Sequence, residues 1–262
     1  MQEPVFLDRT TPPKIVTLIL MAGLSALTMN IFLPSLPGMA TYYDVPYGVM
    51  QQSVALYLAL SAALQIVIGP ISDRYGRRAV LLWSLVLFLL ATIGTLLAPT
   101  ATVFLIFRMA QAVIAAGMVL SRAVVRDMVA DAQAASMIGY VTMGMSLVPM
   151  IGPVIGGVLD DLYGWKANFA LLLILGLGTL ALVWADLGET ATLRRVSLAD
   201  QIRTYPTLLA SRRFWGYTLS AAFASGCFFA YLGGAPYVGD KIYGLSSTHV
   251  GALFALTAIG YA

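Results

Sequence analysis

The sequence predicts an all-α polytopic membrane protein of about eight spans, the last one cut short. Three observations carry that expectation. Of the 262 residues, 60% are hydrophobic and only 10% charged, and the mean hydropathy is +0.86. A soluble domain carries roughly 25% charged residues, and a water-soluble fold of this length cannot hide so much apolar surface. Apolar runs of bilayer length recur along the whole chain, and the basic residues gather in alternate loops.

In chain order the runs are Ile15–Leu33, Val54–Ile71, Ala79–Ala98, Thr102–Leu120, Ser136–Leu159, Ala167–Ala185 and Phe214–Leu232. An eighth starts near Val250 and stops in mid-span at Ala262. Backbone polar groups cannot stay unpaired in hydrocarbon, so each run is expected to be a helix. The period-two alternation of a membrane barrel is absent. Glu3, Asp8, Arg9 and Lys14 precede the first run. It is too long for a cleaved signal segment and lacks a small-residue cleavage site, so it reads as an uncleaved first span.

With the N-terminus placed in the cytoplasm, the inner segments hold Arg9 and Lys14, then Arg74, Arg77 and Arg78, then Arg122 and Arg126. Arg194, Arg195, Arg203, Arg212 and Arg213 complete the set. Only Lys166 and Lys241 fall outside, and Arg108 lies within a span. This distribution satisfies the positive-inside rule at every loop and predicts a multi-pass protein of the cell's inner membrane. The longer polar stretch Leu187–Arg213 divides the chain. Residues 1–186 are expected to form a six-span bundle, 187–213 a cytoplasmic linker and 214–262 the first part of a second bundle. In the linker, Leu198, Ile202, Tyr205 and Leu209 share one helical face behind a capping pair, Ser197 and Asp200. They read equally as a basic amphipathic helix on the inner membrane surface or as a solvated connector.

Composition also excludes. Cys227 is the only cysteine and His249 the only histidine, so an intrachain disulfide, a multi-histidine metal site and a Ser-His-Asp triad lack their parts. No ATP-binding motif, phosphate-cradling glycine loop or clustered basic patch occurs. Neither a cofactor, a catalytic residue nor a nucleic-acid partner is expected.

The run Gly69-Pro-Ile-Ser-Asp73-Arg74-Tyr-Gly76-Arg77-Arg78 carries more than orientation. Gly69 permits close helix approach, Gly76 a tight turn, and Asp73 can pair with Arg77 or face a helix N-terminus. It resembles the signature of the major facilitator superfamily between spans two and three, G-x-L-A-D-R-x-G-R-K/R. Further segments are similar to the Bcr/CflA group of drug–proton antiporters within that family. Met29-Asn30-Ile-Phe-Leu-Pro34-Ser-Leu-Pro37 resembles the end of its span one, and Arg108-Met-Ala-Gln111 its R-x-x-Q-G, with Ala112 in place of Gly. Gly152-Pro153-Val-Ile-Gly156-Gly157, preceded by Gly139, resembles the antiporter motif of span five, with Val148 where another small residue is usual. Phe228 to Pro236, followed by Tyr243-Gly-Leu-Ser, resembles span seven and its exit.

The resemblance implies the major facilitator fold and proton-driven export of hydrophobic drugs, with two halves rocking about a midplane site. Its partners would be a small hydrophobic substrate, protons, the bilayer and a C-terminal transmembrane half beyond these residues. Arg108 is expected in the central cavity, because a charge within a span needs a compensating partner. Asn30, Gln111 and Tyr57 are expected beside it, with Gln65, Met118, Tyr140, Met143 and Phe229 as further lining or as ordinary filler. Asn30 stands where relatives carry a titratable Asp, and none of the 12 acidic residues falls in the middle of a span. Asp73 and Arg77 would supply one side of an inner latch between halves. The competing expectations are a metabolite exporter of the same fold, for an amino acid or sugar, and a truncated membrane fragment that does not transport.

Overall fold

A helix buried in lipid gains nothing by ending until its chain reaches water, because every freed backbone group stays unsatisfied. The computed structural model of the chain, which describes residues 5–129, 131–191 and 206–261, follows that rule. Its helices overrun the apolar windows at nearly every end. Among the described residues seven are long and apolar enough to cross a membrane. They are span one Ile15–Tyr42, span two Tyr47–Tyr75, span three Arg77–Leu97 and span four Ala101–Met128. Span five is the helix Asp131–Tyr163, span six Lys166–Asp186 and span seven Arg212–Ile242. Span eight, Ser247–Tyr261, is the shorter apolar helix that follows. No strand occurs among the described residues.

Two overruns correct the reading of the sequence. Pro34 and Pro37 do not end span one. Its first helix stops at Asn30, a short 3-10 turn spans Leu33–Ser35, and a second helix Leu36–Tyr42 continues the span. Each proline sits in the first turn of its segment, where a missing N–H costs nothing. The signature after span two is likewise mostly helix. Asp73 and Arg74 lie in the last turn of the helix Tyr47–Tyr75, and Gly76 alone separates it from the next one. Gly76 has φ +94°, a conformation natural to glycine and strained for any other residue.

Spans one, three, four and six pack into one interior. Phe88, Phe104, Phe169, Leu18 and Met21 are wholly buried there. Toward one end an aromatic cluster joins span one, span four and the start of span six. Phe104 meets Phe169 at 5.5 Å and Trp165 at 5.8 Å, both edge to face, and Tyr43 adds a further ring. Such pairs contribute about 0.5–1.5 kcal/mol each beyond their buried area. They matter here because lipid offers helices no hydrophobic reason to associate.

Spans seven and eight dock on this bundle at that same end. In the helix Arg212–Tyr237 only Leu232, Gly233 and Pro236 are buried, so its first two-thirds stand clear of the other spans. Span eight lies along span five. The linker expected over 187–213 is described only at 187–191 and 206–213, so the amphipathic face proposed for Leu198, Ile202 and Tyr205 lies outside the described residues.

Candidate functional site

Three groups of sequence-selected residues occupy three levels of the bundle. At the middle level, Arg108 is wholly enclosed, as are Asn30 and Gln111, and Tyr57 is 2% exposed. The guanidinium lies between two rings, 4.4 Å from the centroid of Phe32 and 4.0 Å from that of Tyr57. Its Nε donates to the Ser53 carbonyl at 3.3 Å, and Nη1 donates to Gln111 Oε1 at 2.9 Å. Gln111 Nε2 donates in turn to Thr92 Oγ1 at 2.8 Å, and that hydroxyl donates to the Phe88 carbonyl. One charged side chain thus ties spans two, three and four together, with Phe32 of span one as a lid.

The local fold makes this arrangement possible. Span four tightens to a 3-10 turn over Gln111–Ile114, which begins three residues after Arg108. The turn brings Gln111 against span three, and Ser25 of span one donates to the Ile114 carbonyl at 2.7 Å. Such interruptions often mark functional positions. Compensation is nevertheless incomplete. No carboxylate pairs with Arg108 among the described residues. Arg108 Nη2, Ser53 Oγ and Asn30 Oδ1 have no hydrogen-bond partner, and Asn30 Nδ2 donates only to the Ala26 carbonyl one turn back. The charge is met by aromatic faces, worth about 2 kcal/mol or more when desolvated. These four residues therefore lie inside the bundle and not on an open wall. Gln65, Tyr140 and Met143 are exposed instead, and Met118 and Phe229 are half-buried.

At one end the signature residues converge on Arg77. Its Nε meets Asp127 Oδ2 at 2.6 Å, Nη2 meets Asp73 Oδ1 at 3.0 Å, and Nη1 donates to Ser72 Oγ at 2.8 Å. Arg78 Nη2 donates to the Trp184 carbonyl at 2.9 Å. Arg74 points away, exposed beside the ring of Tyr75. Gly69 has open space where a side chain would stand, so the close approach expected there is absent among the described residues.

Three acidic residues that the motif does not contain complete this end. Glu189 spans the start of span three, accepting from the backbone N–H groups of Arg77 at 2.8 Å and Arg78 at 3.3 Å. Its carboxylate occupies the space above Gly76 that a side chain would fill. Asp186, wholly buried, does the same for span one, accepting from Lys14 N at 3.0 Å, Leu7 N at 2.8 Å and Thr17 Oγ1 at 2.5 Å. Carboxylates suit helix N-termini, whose free N–H groups carry partial positive charge. Asp127 is the third. A signal existed: acidic residues at span ends otherwise rich in arginine need partners.

At the opposite end the span-five glycines make the close contacts. A side chain on Gly156 would collide with the Ile31 carbonyl of span one, and one on Gly157 with the Ser247 carbonyl of span eight. Gly152 faces Leu27 of span one, whereas Gly139 has nothing beside it. Pro153, inside the helix, offers its carbonyl to Gly251 of span eight in a contact that admits no side chain. Small residues are what membrane helices use for backbone-to-backbone approach.

This is a bundle of membrane-spanning helices with a buried arginine, a charged helix-end network and a glycine-lined helix crossing. Residues 18–262 match the model of the Major Facilitator Superfamily, and the chain belongs to that family of transporters. Among its relatives, an uncharacterized MFS-type transporter of Bacillus subtilis is 32% identical over 92% of this chain and 61% of its own length. A chloramphenicol resistance protein of Pseudomonas aeruginosa is 34% identical over 90% of this chain and 56% of its own. Multidrug resistance protein D of Escherichia coli is 29% identical over 91% and 61%. The chain thus spans about three-fifths of the length of the curated relatives it matches. In fold it is similar to a bacterial homolog of the human lysosomal transporter Spinster, in an inward-facing and occupied conformation. That likeness has a TM-score of 0.77 at 19% identity, over 94% of this chain and 58% of the other.

Proposed function

We propose that the protein of which these residues form part exports hydrophobic drugs or xenobiotics across the inner membrane, by proton antiport with alternating access. The observation that carries this reading is the span-five helix. Its glycines lie backbone to backbone against spans one and eight, and relatives named for chloramphenicol and multidrug resistance align across nine-tenths of the chain. A helix so tightly seated between two others closes one end of a pathway while the far end stays separable, which is what export against a gradient requires. Residues 1–186 act as one rocking half, 187–213 as the linker, and 214–262 as the start of the other half.

In this reading the end carrying Arg77 faces the cytoplasm and the end carrying Asp160 faces outward. Arg108, Asn30, Gln111 and Tyr57 form the polar heart of the first half, behind the substrate pathway. Gly69, Asp73, Arg74, Gly76, Arg77 and Arg78 belong to the inner gate. Gly152, Pro153, Gly156 and Gly157 form the seal on the outer side, and Gly139, nearer the other end of the same helix, belongs to the antiporter motif. The test is efflux of a fluorescent hydrophobic cation and of chloramphenicol from energised cells making the full-length protein. Export that an uncoupler abolishes supports the proposal. Accumulation equal to vector controls sinks it, and competition by amino acids or sugars would reassign the substrate to a metabolite.

A further inference from the structure

Span five and span eight are held together at the outer end by two carboxylates as well as by glycines. Ser247 Oγ donates to Asp160 Oδ2 at 2.6 Å, and the Thr248 backbone N–H donates to Asp161 Oδ2 at 3.0 Å. Both bonds join residues 87 positions apart in sequence, and both reach the first turn of span eight. The hydroxyls of Ser35, Ser246 and Thr248 also face the carboxylates, and backbone lies against backbone where Gly157 meets Ser247 and Gly251 meets Pro153. These have no charge to lose. A cavity of about 210 Å³, lined by Pro34, Pro37, Asp161, Asp240, Ser246 and Ser247, opens beside Asp161 and gives water a route to it.

We propose that Asp160 and Asp161 form a proton-responsive clasp, which holds span eight to span five when ionised and releases it when protonated. An ionised carboxylate accepts hydrogen bonds about twice as strongly as a neutral acceptor. The Ser247 hydroxyl can turn round and accept from a protonated Asp160. The Thr248 amide is a donor only, so protonation of Asp161 weakens that bond without an exchange of roles. This gives the chain a titratable element coupled to helix separation although Asn30 cannot titrate. Its place in a transport cycle rests on the exporter reading, whereas the clasp itself does not.

The other charged and titratable groups around the clasp are few among the described residues. Lys166, at the start of span six, lies over the rings of Tyr42 and Trp165. Asp240 and Lys241 pair at 3.0 Å after span seven. His249 Nδ1 is 2.8 Å from Ser246 Oγ, and Tyr163 is exposed. The short segments Leu33–Ser35 and Leu36–Tyr42 bring no charged side chain. Asp240, in the wall of the same cavity, and His249 are therefore the competing titrants.

The experiment places spin labels at Tyr163→Cys and Tyr243→Cys in the purified full-length protein, with its other cysteines replaced. Interlabel distances are read from about pH 8 to about pH 3. The expected result is a longer distance on acidification, the open-to-closed ratio rising roughly tenfold. The pair Asp160→Asn/Asp161→Asn is expected to stay at the open ratio throughout, Asp161→Asn alone to shift part-way, and Asp240→Asn and His249→Gln to behave as the parent. An unchanged pH response in the double asparagine variant, or its loss in Asp240→Asn or His249→Gln, overturns the clasp. A response that persists in a protein showing no efflux leaves the clasp standing and removes the exporter reading. Efflux without a response does the reverse.

Discussion

Arg108 poses a physical question at the scale of a single residue. A structural arginine should stabilise the fold, yet this one has no carboxylate partner among the described residues and leaves Nη2 without an acceptor. Burying a charge is costly unless it is paired, and removing an uncompensated one can be neutral or stabilising. Arg108→Met is therefore expected to leave the melting temperature of the purified full-length protein within a few degrees of the parent, or to raise it, while efflux falls at least tenfold. Gln111 loses one bond in that variant, at about 1 kcal/mol. A large fall in melting temperature would make the arginine structural instead. Arg108→Lys is expected to share the loss of efflux, because an ammonium cannot stack between Phe32 and Tyr57 while reaching Gln111. The sequence made Arg108 conspicuous as the charge inside a span. Tyr57 was expected beside it, but the second ring of the sandwich, Phe32, was not legible, because it meets Arg108 from another helix.

At the scale of helices, two predictions separate close contact from mere resemblance. Gly156 and Gly139 both belong to the span-five pattern, but only Gly156 touches another backbone. Gly156→Ala is expected to destabilise the protein by about 1–3 kcal/mol, as overpacking does, whereas Gly139→Ala should be neutral in thermal unfolding. Equal effects would mean that the crossing of spans one and five is not glycine-dependent. At the other end, Glu189→Ala removes the carboxylate that caps span three, at an expected cost of about 0.5–2 kcal/mol. Asp73→Asn and Asp127→Asn share Arg77 as partner, so a double-mutant cycle on unfolding should return a coupling of about 0.5–3 kcal/mol. Strict additivity would show that Arg77 does not link spans two and four. The D-R-x-G-R-R pattern pointed to Asp73, Gly76 and Arg77. It carried no sign of Glu189, which lies 112 residues from Arg77 and meets it only because span six returns beside span three.

For the whole molecule, orientation is the first claim to check. The positive-inside count places Tyr75 on the cytoplasmic side and Tyr163 outside, and both are well exposed. With Cys227 and other cysteines replaced, a membrane-impermeant maleimide should label Tyr163→Cys in intact cells and Tyr75→Cys only after the cells are opened. The reverse pattern would invert the topology. Among the described residues span seven touches the first six toward the end carrying Asp160, where Leu232, Gly233 and Pro236 are buried, and span eight lies along span five. Tyr47 supports the first of these contacts, its hydroxyl donating to the Gly233 carbonyl at 2.7 Å and its ring lying 4.9 Å from that of Tyr237.

Hydropathy and the spacing of arginines by themselves determined that this chain is a set of membrane-crossing helices, in what order they run and which ends share a side. Those properties depend on transfer into lipid and on loop charge, and both act on each segment separately. Helix ends escaped that reading, since a hydrophobic window stops at the first polar residue while backbone pairing carries the helix on to water. So Asp160 and Asp161, just past the apolar run Ser136–Leu159, became part of the end of span five. Tertiary structure alone decided that these carboxylates meet Ser247 and Thr248, that Glu189 caps span three, and that Arg108 is enclosed by rings. Each of these is a contact between distant segments, fixed by packing geometry and by the need to satisfy polar groups where no water reaches.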